Sequence, residues 1–392
     1  MTVRTGLEVL LDDPRPIAGR RIGIVTNQSG VTSDLRHVVP LLHGGGDWTL
    51  TTLFAPEHGI WGEAQDMDHI SDSIDPATGL HVYSLYGDSE EKLTPARAML
   101  QNVDALVIDV QDVGSRYYTF VYTMALCMRA AGSASVSVVV LDRPNPIDGV
   151  HLEGNIREEK YSSFVGMYPL PARHGMTAGE LARYFNKVFS LGCDLTVVPM
   201  RGWKRAMWWD ETGLPWVTPS PNMPTVATAT VYPGMCLVEG TNLSEGRGTT
   251  HPFELFGAPW LEPFKLADEL NGLDLPGVRF RPHYFMPSFQ KHAGKVCAGV
   301  ELHVRDRAVF EPFRTGLWCV KVARDQNPEK FDWRREAYEF VSDRLAIDLL
   351  AGSARYRQIV ESGGDIDEWV SEWKTPLREF ARRREEFLLY RT

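Results

Sequence analysis

Between residues 20 and 200 the chain alternates short apolar runs with stretches in which apolar positions recur every three or four residues. Runs at 21–29, 49–57, 104–112, 135–146 and 194–200 have the length and β-branched content of buried strands. The intervening segments near 33–43, at 93–103, 116–132 and 177–192 carry the helical period. Gly132 stands where the third of these would stop, and Thr177 with Glu180 has capping-box spacing before the last. Continuous apolar strands alternating with amphipathic helices predict a mostly parallel sheet covered on both faces. The expected fold class is therefore α/β, with a Rossmann-like domain over 1–215.

From about residue 215 the pattern changes. PWVTPSPNMPT (215–225) is proline-rich and reads as a crossing segment, and 231–260 is rich in glycine and polar residues. Strand-like runs follow at 277–285 and 297–304, and charged helices are expected over 331–351 and 366–389. This predicts a smaller α+β C-terminal domain over 216–392, with a cleft between the two. A chain of 392 residues fits two domains better than one.

Composition narrows the function. The net charge of −10 argues against non-specific nucleic-acid binding. No apolar run reaches the ~18 residues that suggest a membrane span. The first residues lack the apolar core of a secretory signal, so a cytoplasmic protein is expected unless a leader has been removed. The five cysteines are widely spaced, and no histidine pair has H-x-x-x-H or H-x-H spacing, so neither a disulfide scaffold nor a metal site is expected. No G-x-G-x-x-G, G-x-S-x-G or Walker A sequence is present, which disfavours dinucleotide, serine-hydrolase and P-loop chemistry.

In an open parallel sheet, ligands bind beyond the carboxyl ends of the strands. The first strand exits with Asn27 and Gln28, the second with Glu57 and His58. The third exits with Asp109, Gln111, Asp112 and Arg116, and the fourth with Asp142, Arg143 and Asn145. Asp142 also reads as a brace for the proline-stiffened turn after it. Gly59 and Gly62 would let the backbone turn after Glu57, and Trp61 would offer a flat apolar wall. In the second domain, EGTNLSEGRGTTHPFE gathers Glu239, Asn242, Glu245 and Arg247 among glycines. Asn222 sits between prolines, and Lys291 and His292 lie in FMPSFQKHAG. Carboxylates, amides, aromatic rings and arginines in one cleft are the equipment of glycoside hydrolysis, where two carboxyl groups commonly divide the work.

The motifs GLEVLL, IGIVTNQSGV, LFAPEHGIWG, DVQDVGSRYYTF, LDRPNPI and EGTNLSEGRGT, with a late F-x-PSF-x-KHAG, appear in this order. Together they resemble the exo-β-N-acetylmuramidase family of NamZ type, formerly a domain of unknown function. The resemblance spans nearly the whole chain. It implies a Rossmann-like domain with a smaller C-terminal domain, and release of N-acetylmuramic acid from the non-reducing end of peptidoglycan fragments without a cofactor. By motif, Glu57 is the expected catalytic carboxylate. His58, Asp109, Asp112, Arg116, Tyr117, Asn145, Glu239, Asn242, Glu245 and Arg247 are expected in the cleft.

Muramic acid carries a lactyl carboxylate, for which Arg116, Arg143, Arg247 and Lys291 are the candidate partners. Glu57 is expected to act as general acid, its pKa raised by an apolar wall. The second carboxylate is Glu239 or Asp112. A non-catalytic, two-lobed sugar-binding protein is the main rival, and a metal- or nucleotide-dependent hydrolase a weaker one.

Overall fold

A computed structural model describes residues 2–391 and shows two sheets sharing one core. In the first lobe, helix α1 (Gly6–Asp12) precedes β1 (Arg20–Thr26), α2 (Val38–His43) and β2 (Trp48–Ala55). Next come β3 (Ser73–Ile74), β4 (His81–Ser84), β5 (Ala105–Asp109), α3 (Phe120–Ala134), β6 (Ser137–Leu141), α4 (Ala178–Val188), β7 (Leu195–Val198) and α5 (Trp209–Thr212). The seven strands lie in the order β3-β4-β2-β1-β5-β6-β7, and all neighbours are parallel except β3 and β4.

The second lobe contributes α6 (Val226–Met235), β8 (Leu255–Ala258), α7 (Pro263–Gly272), β9 (Val278–Phe285), β10 (Cys297–Val304) and α8 (Pro312–Gln326). It ends with α9 (Ala346–Ala351), α10 (Arg355–Ser362), α11 (Ile366–Glu372) and α12 (Lys374–Arg384). Its antiparallel sheet has the order β8-β10-β9. The architecture is the expected α/β layer with a smaller α+β unit. No helix among the described residues is long and apolar enough to cross a membrane.

Successive strand residues face opposite ways, and the large sheet separates two apolar clusters. Ile22, Ile24, Leu53 and Val107 pack beneath α1 and α2 on one face. On the other, Leu106, Ile108, Val138 and Val140 join a cluster that continues through α3 to Phe256 and Val300 of the small sheet. Helix α3 therefore has no solvent-facing stripe over Phe120–Met128. The two lobes share a core rather than meeting across a wet interface.

Several expected elements differ. The segment 93–103 forms only a 3₁₀ turn at Arg97–Leu100, because the chain must enter β5 at Ala105. Helix α3 runs through Gly132 and stops at Ser135, which takes the left-handed conformation (φ 58°). Gly132 serves close packing instead: a Cβ there would lie 2.8 Å from the Gly192 carbonyl oxygen. Of the helix expected over 331–351 only α9 forms. Glu339 and Phe340 have φ of 48° and 67°, which no α-helix accommodates. Helices α6, α7 and α8 were not read from the sequence. Pro233 inside α6 and the leading prolines of α7 and α8 mask them, although proline at the first helical position is well tolerated.

The end of the chain returns to the first lobe. The Tyr390 hydroxyl donates to Asp142 at 2.5 Å, Arg384 donates to the carbonyl of Gly175 at 2.6 Å, and Arg183 donates to that of Phe387 at 2.8 Å. Asp142 also accepts from Gly179 N–H at 2.8 Å and Thr177 Oγ1 at 2.7 Å, joining β6 to the start of α4. Burial raises its pKa to about 7, against the opposing effect of these bonds. A carboxyl raised in the folded state binds its proton more tightly there than in the unfolded chain. Its contribution to stability is therefore complete below pH ~4 and lost as pH climbs through about 7. Asp142→Asn should flatten the decline in urea midpoint between those limits. An unchanged slope would refute this assignment.

Candidate active site

Strand β2 ends at Ala55 and delivers Glu57 to a pocket between the lobes. Glu57 is 6% exposed, and its Oε2 accepts a 2.7 Å hydrogen bond from Thr119 Oγ1, the residue before α3. His58 takes a left-handed conformation (φ 73°) and sets Nδ1 3.0 Å from the Ala64 carbonyl oxygen, turning the loop back on itself. The crossing segment forms another wall through Ser220, Asn222 and Met223. It is held there by the exit of β1: Asn27 Nδ2 donates to the Pro219 carbonyl at 3.1 Å, and Gln28 Nε2 to that of Thr218 at 2.8 Å. Asn222 donates to Gln65 Oε1 at 3.0 Å, tying this wall to the loop after Glu57. The space so enclosed is about 560 Å³, counting its open mouth.

The second lobe closes the pocket with an acidic group and one buried cation. Glu239 lies in a 3₁₀ turn (Cys236–Gly240) directly after α6. Its Oε1 is 2.6 Å from Arg247 Nη2, and its Oε2 accepts from the Tyr338 hydroxyl at 2.6 Å. Arg247 Nη1 also pairs with Asp66 of the first lobe at 2.6 Å, and its Nε lies 3.6 Å from Glu245. Burial disfavours the Arg247 charge, but Glu239, Asp66 and Glu245 outweigh it and hold the group firmly protonated. Glu245 is pushed up by burial and pulled further down by Lys291 and Arg247, ending below its ordinary value.

Glu339 completes the pocket. Its Oε2 accepts from the buried Tyr86 hydroxyl at 3.1 Å. Burial lifts this carboxyl well above the ordinary range, and the neighbouring charge of Glu57 lifts it further, against the opposing Tyr86 bond. Four carboxyl groups thus line one cavity: Asp66 and Glu239 are paired with Arg247, Glu57 and Glu339 are not, and the surroundings of Glu339 favour its protonated form. The consecutive left-handed residues Glu339 and Phe340 aim this side chain inward, a strained backbone of the kind that clusters at functional sites.

The other expected site residues divide into two groups. Tyr117 lines the pocket, with its hydroxyl donating to the Pro233 carbonyl at 2.6 Å. Glu245 and Lys291 stand behind Arg247: Lys291 Nζ lies 3.0 Å from Glu245 and also donates to the carbonyls of Val238, Glu239 and Leu243. The remainder lie off the pocket. Asp109 is in a buried two-point ion pair with Arg143 (2.5 and 2.8 Å) that fills the sheet's switch point between β1 and β5. Asp112 accepts from Gly114 N–H at 2.8 Å and sits 3.4 Å from His174. Arg116 is wholly buried, donating to the carbonyls of Asn155, Leu170 and Leu350. Asn145 donates to Met176 and Asn242 to Lys330, both through backbone carbonyls. Trp61 is 46% exposed and packs on His37, 4.8 Å between ring centres. The apolar lining comes instead from Tyr118, Phe120, Val165, Met223 and Phe253.

Asp66, Thr119, Tyr338 and Glu339 were not singled out in the sequence. The first stands four residues beyond the LFAPEHGIWG motif and outside it, and the last two were absorbed into an expected helix. The sequence signal for Glu339 was a buried-type pair, Tyr338 and Phe340, flanking an acid in an otherwise charged stretch.

Comparison with known proteins places this chain in a family. The model for the N-terminal domain of exo-β-N-acetylmuramidase NamZ matches residues 22–227, and that for the C-terminal domain matches 230–390. The peptidoglycan β-N-acetylmuramidase NamZ of Bacillus subtilis (strain 168) is 49% identical over 389 residues, covering 99% of this chain and 91% of that protein. Two crystal structures of DUF1343 family proteins from Bacteroides fragilis NCTC 9343 are similar throughout. One, at 1.65 Å resolution, has a TM-score of 0.89 and 34% identity, covering 100% of both chains. The other, at 1.30 Å, has a TM-score of 0.78 and 29% identity, covering 100% of this chain and 99% of that one. The chain belongs to the exo-β-N-acetylmuramidase NamZ family.

Proposed function

We propose that this protein is an exo-acting glycoside hydrolase that releases N-acetylmuramic acid from the non-reducing end of peptidoglycan fragments, with Glu57 and Glu339 as its working carboxyl pair. The observation that carries the reading is that these two groups face one pocket in unlike surroundings. Burial and the charge of Glu57 favour the protonated form of Glu339, so in this reading it donates the proton to the leaving oxygen. Glu57, fixed by Thr119, is the group that stabilises positive charge at the anomeric carbon or activates water. This exchanges the acid role that the sequence suggested for Glu57.

Glu239 has both oxygens engaged, by Arg247 and Tyr338, and in this reading it positions Arg247 rather than reacting. Asp112 braces the turn at Gly114. The aromatic lining of Tyr117, Tyr118 and Phe120 offers a face for the sugar ring. The purified protein should liberate free N-acetylmuramic acid from a muramyl-glucosamine disaccharide and leave the reversed disaccharide intact. Tight binding without any released sugar would instead support the sugar-binding rival.

A further inference from the structure

The lactyl carboxylate of muramic acid distinguishes it from N-acetylglucosamine, and a pocket already rich in carboxylates needs a cation free to meet it. The four cations expected for this task are engaged. Arg143 pairs with Asp109, Lys291 with Glu245, and Arg247 with Glu239 and Asp66. Arg116 is sealed among backbone carbonyls.

Arg334 is different. It is half-buried, and no carboxylate lies within 4.0 Å of its guanidinium among the described residues. Its guanidinium lies over the Tyr338 ring, 5.0 Å from the centroid, and Nη2 is 3.5 Å from Met67 Sδ. Tyr338 and Met67 both line the pocket, one from each lobe, so Arg334 stands at the seam where they meet. Its backbone is anchored, with its N–H donating to the Gly240 carbonyl at 2.9 Å, next to Glu239. It is also on the same short segment as Glu339. The ring beneath it holds the guanidinium plane without neutralising it, leaving its N–H groups available for two-point binding of a carboxylate.

We propose that Arg334, which touches the pocket-lining Tyr338 and Met67, is the specificity residue that binds the lactyl carboxylate beside them. The inference rests on the hydrolase reading above, since it takes muramic acid as the ligand. The lactyl group hangs from C3 of the same ring whose C1 is cleaved, which suits an anion-binding group and a proton donor brought close by one chain segment.

The test compares a chromogenic N-acetylmuramide with its lactyl amide, which is neutral but nearly the same shape. Wild type should prefer the acid, and Arg334→Gln should lower kcat/KM for the acid by about 10–100-fold while changing the amide value by less than about threefold. A ratio of acid to amide that stays at the wild-type value overturns the proposal, even if both activities fall together through misfolding. If wild type cleaves neither compound, the hydrolase reading fails. The same acid-to-amide ratio, measured as calorimetric affinities of the free sugars, then still decides the role of Arg334.

Discussion

Glu57→Gln and Glu339→Gln are each expected to lower kcat/KM for the natural disaccharide by about 10³-fold or more, within the range of lost acid–base or nucleophilic assistance. The two should part when the leaving group changes. A nitrophenolate needs little protonation to depart, so Glu339→Gln should recover much of its loss on a nitrophenyl muramide. Glu57→Gln should not, because stabilising the anomeric centre is required whatever leaves. The alkaline side of the wild-type pH–rate profile should report loss of the Glu339 proton, and that limb should vanish in Glu339→Gln when the nitrophenyl substrate is used. The opposite pattern, with Glu57→Gln recovering and Glu339→Gln not, would restore the acid role to Glu57. Activity of both variants within tenfold of wild type would remove the pair from the chemistry.

The second large effect concerns Arg247. Removing its charge leaves Glu239 and Asp66 facing each other in a buried site with Glu245 behind them. Arg247→Leu should therefore cost about 3–5 kcal/mol in unfolding free energy, the scale for breaking a buried ion pair from one side. Adding Glu239→Gln should return part of that loss, since one of the stranded charges is then gone. Chemical denaturation of the two single variants and the double variant reads both numbers. A loss below ~1 kcal/mol for Arg247→Leu would mean that water or a rearranged loop already solvates the cluster.

The parts of this molecule legible in the sequence are those set by local pattern. The strand cores of β1, β2, β5 and β6 stand out because their apolar β-branched runs are buried on both faces, and the edge strand β7 stands out by its β-branched content although Thr196 is exposed. The capping box of Thr177 and Glu180 is a contact across three residues and forms as expected. Polar strand exits were equally visible, but which exit opens into the pocket was not. That depends on where the second lobe sits, and it covers the end of β2 while the ends of β5 and β6 are closed by the Asp109–Arg143 pair.

Charges were the least legible feature. Arg116 and Arg143 look like anion binders in a string of letters, yet their partners are 34 or more residues away in sequence. Glu339 was hidden for a related reason. Its strained backbone is imposed by tertiary packing, while its local composition favours a helix.

The return of residues 384–390 onto the first lobe bears on how the chain matures in the cell. The last strand of that lobe ends at Val198, yet Asp142, Glu180 and Arg183 there await partners from Tyr390, Leu389 and Phe387. At ribosomal speeds those partners are synthesised roughly 10–40 s later. A nascent first lobe must spend that interval without these bonds from residues 387–390 and with its α3 face bare. It is in this window, before the terminus docks, that chaperones would find the protein most exposed.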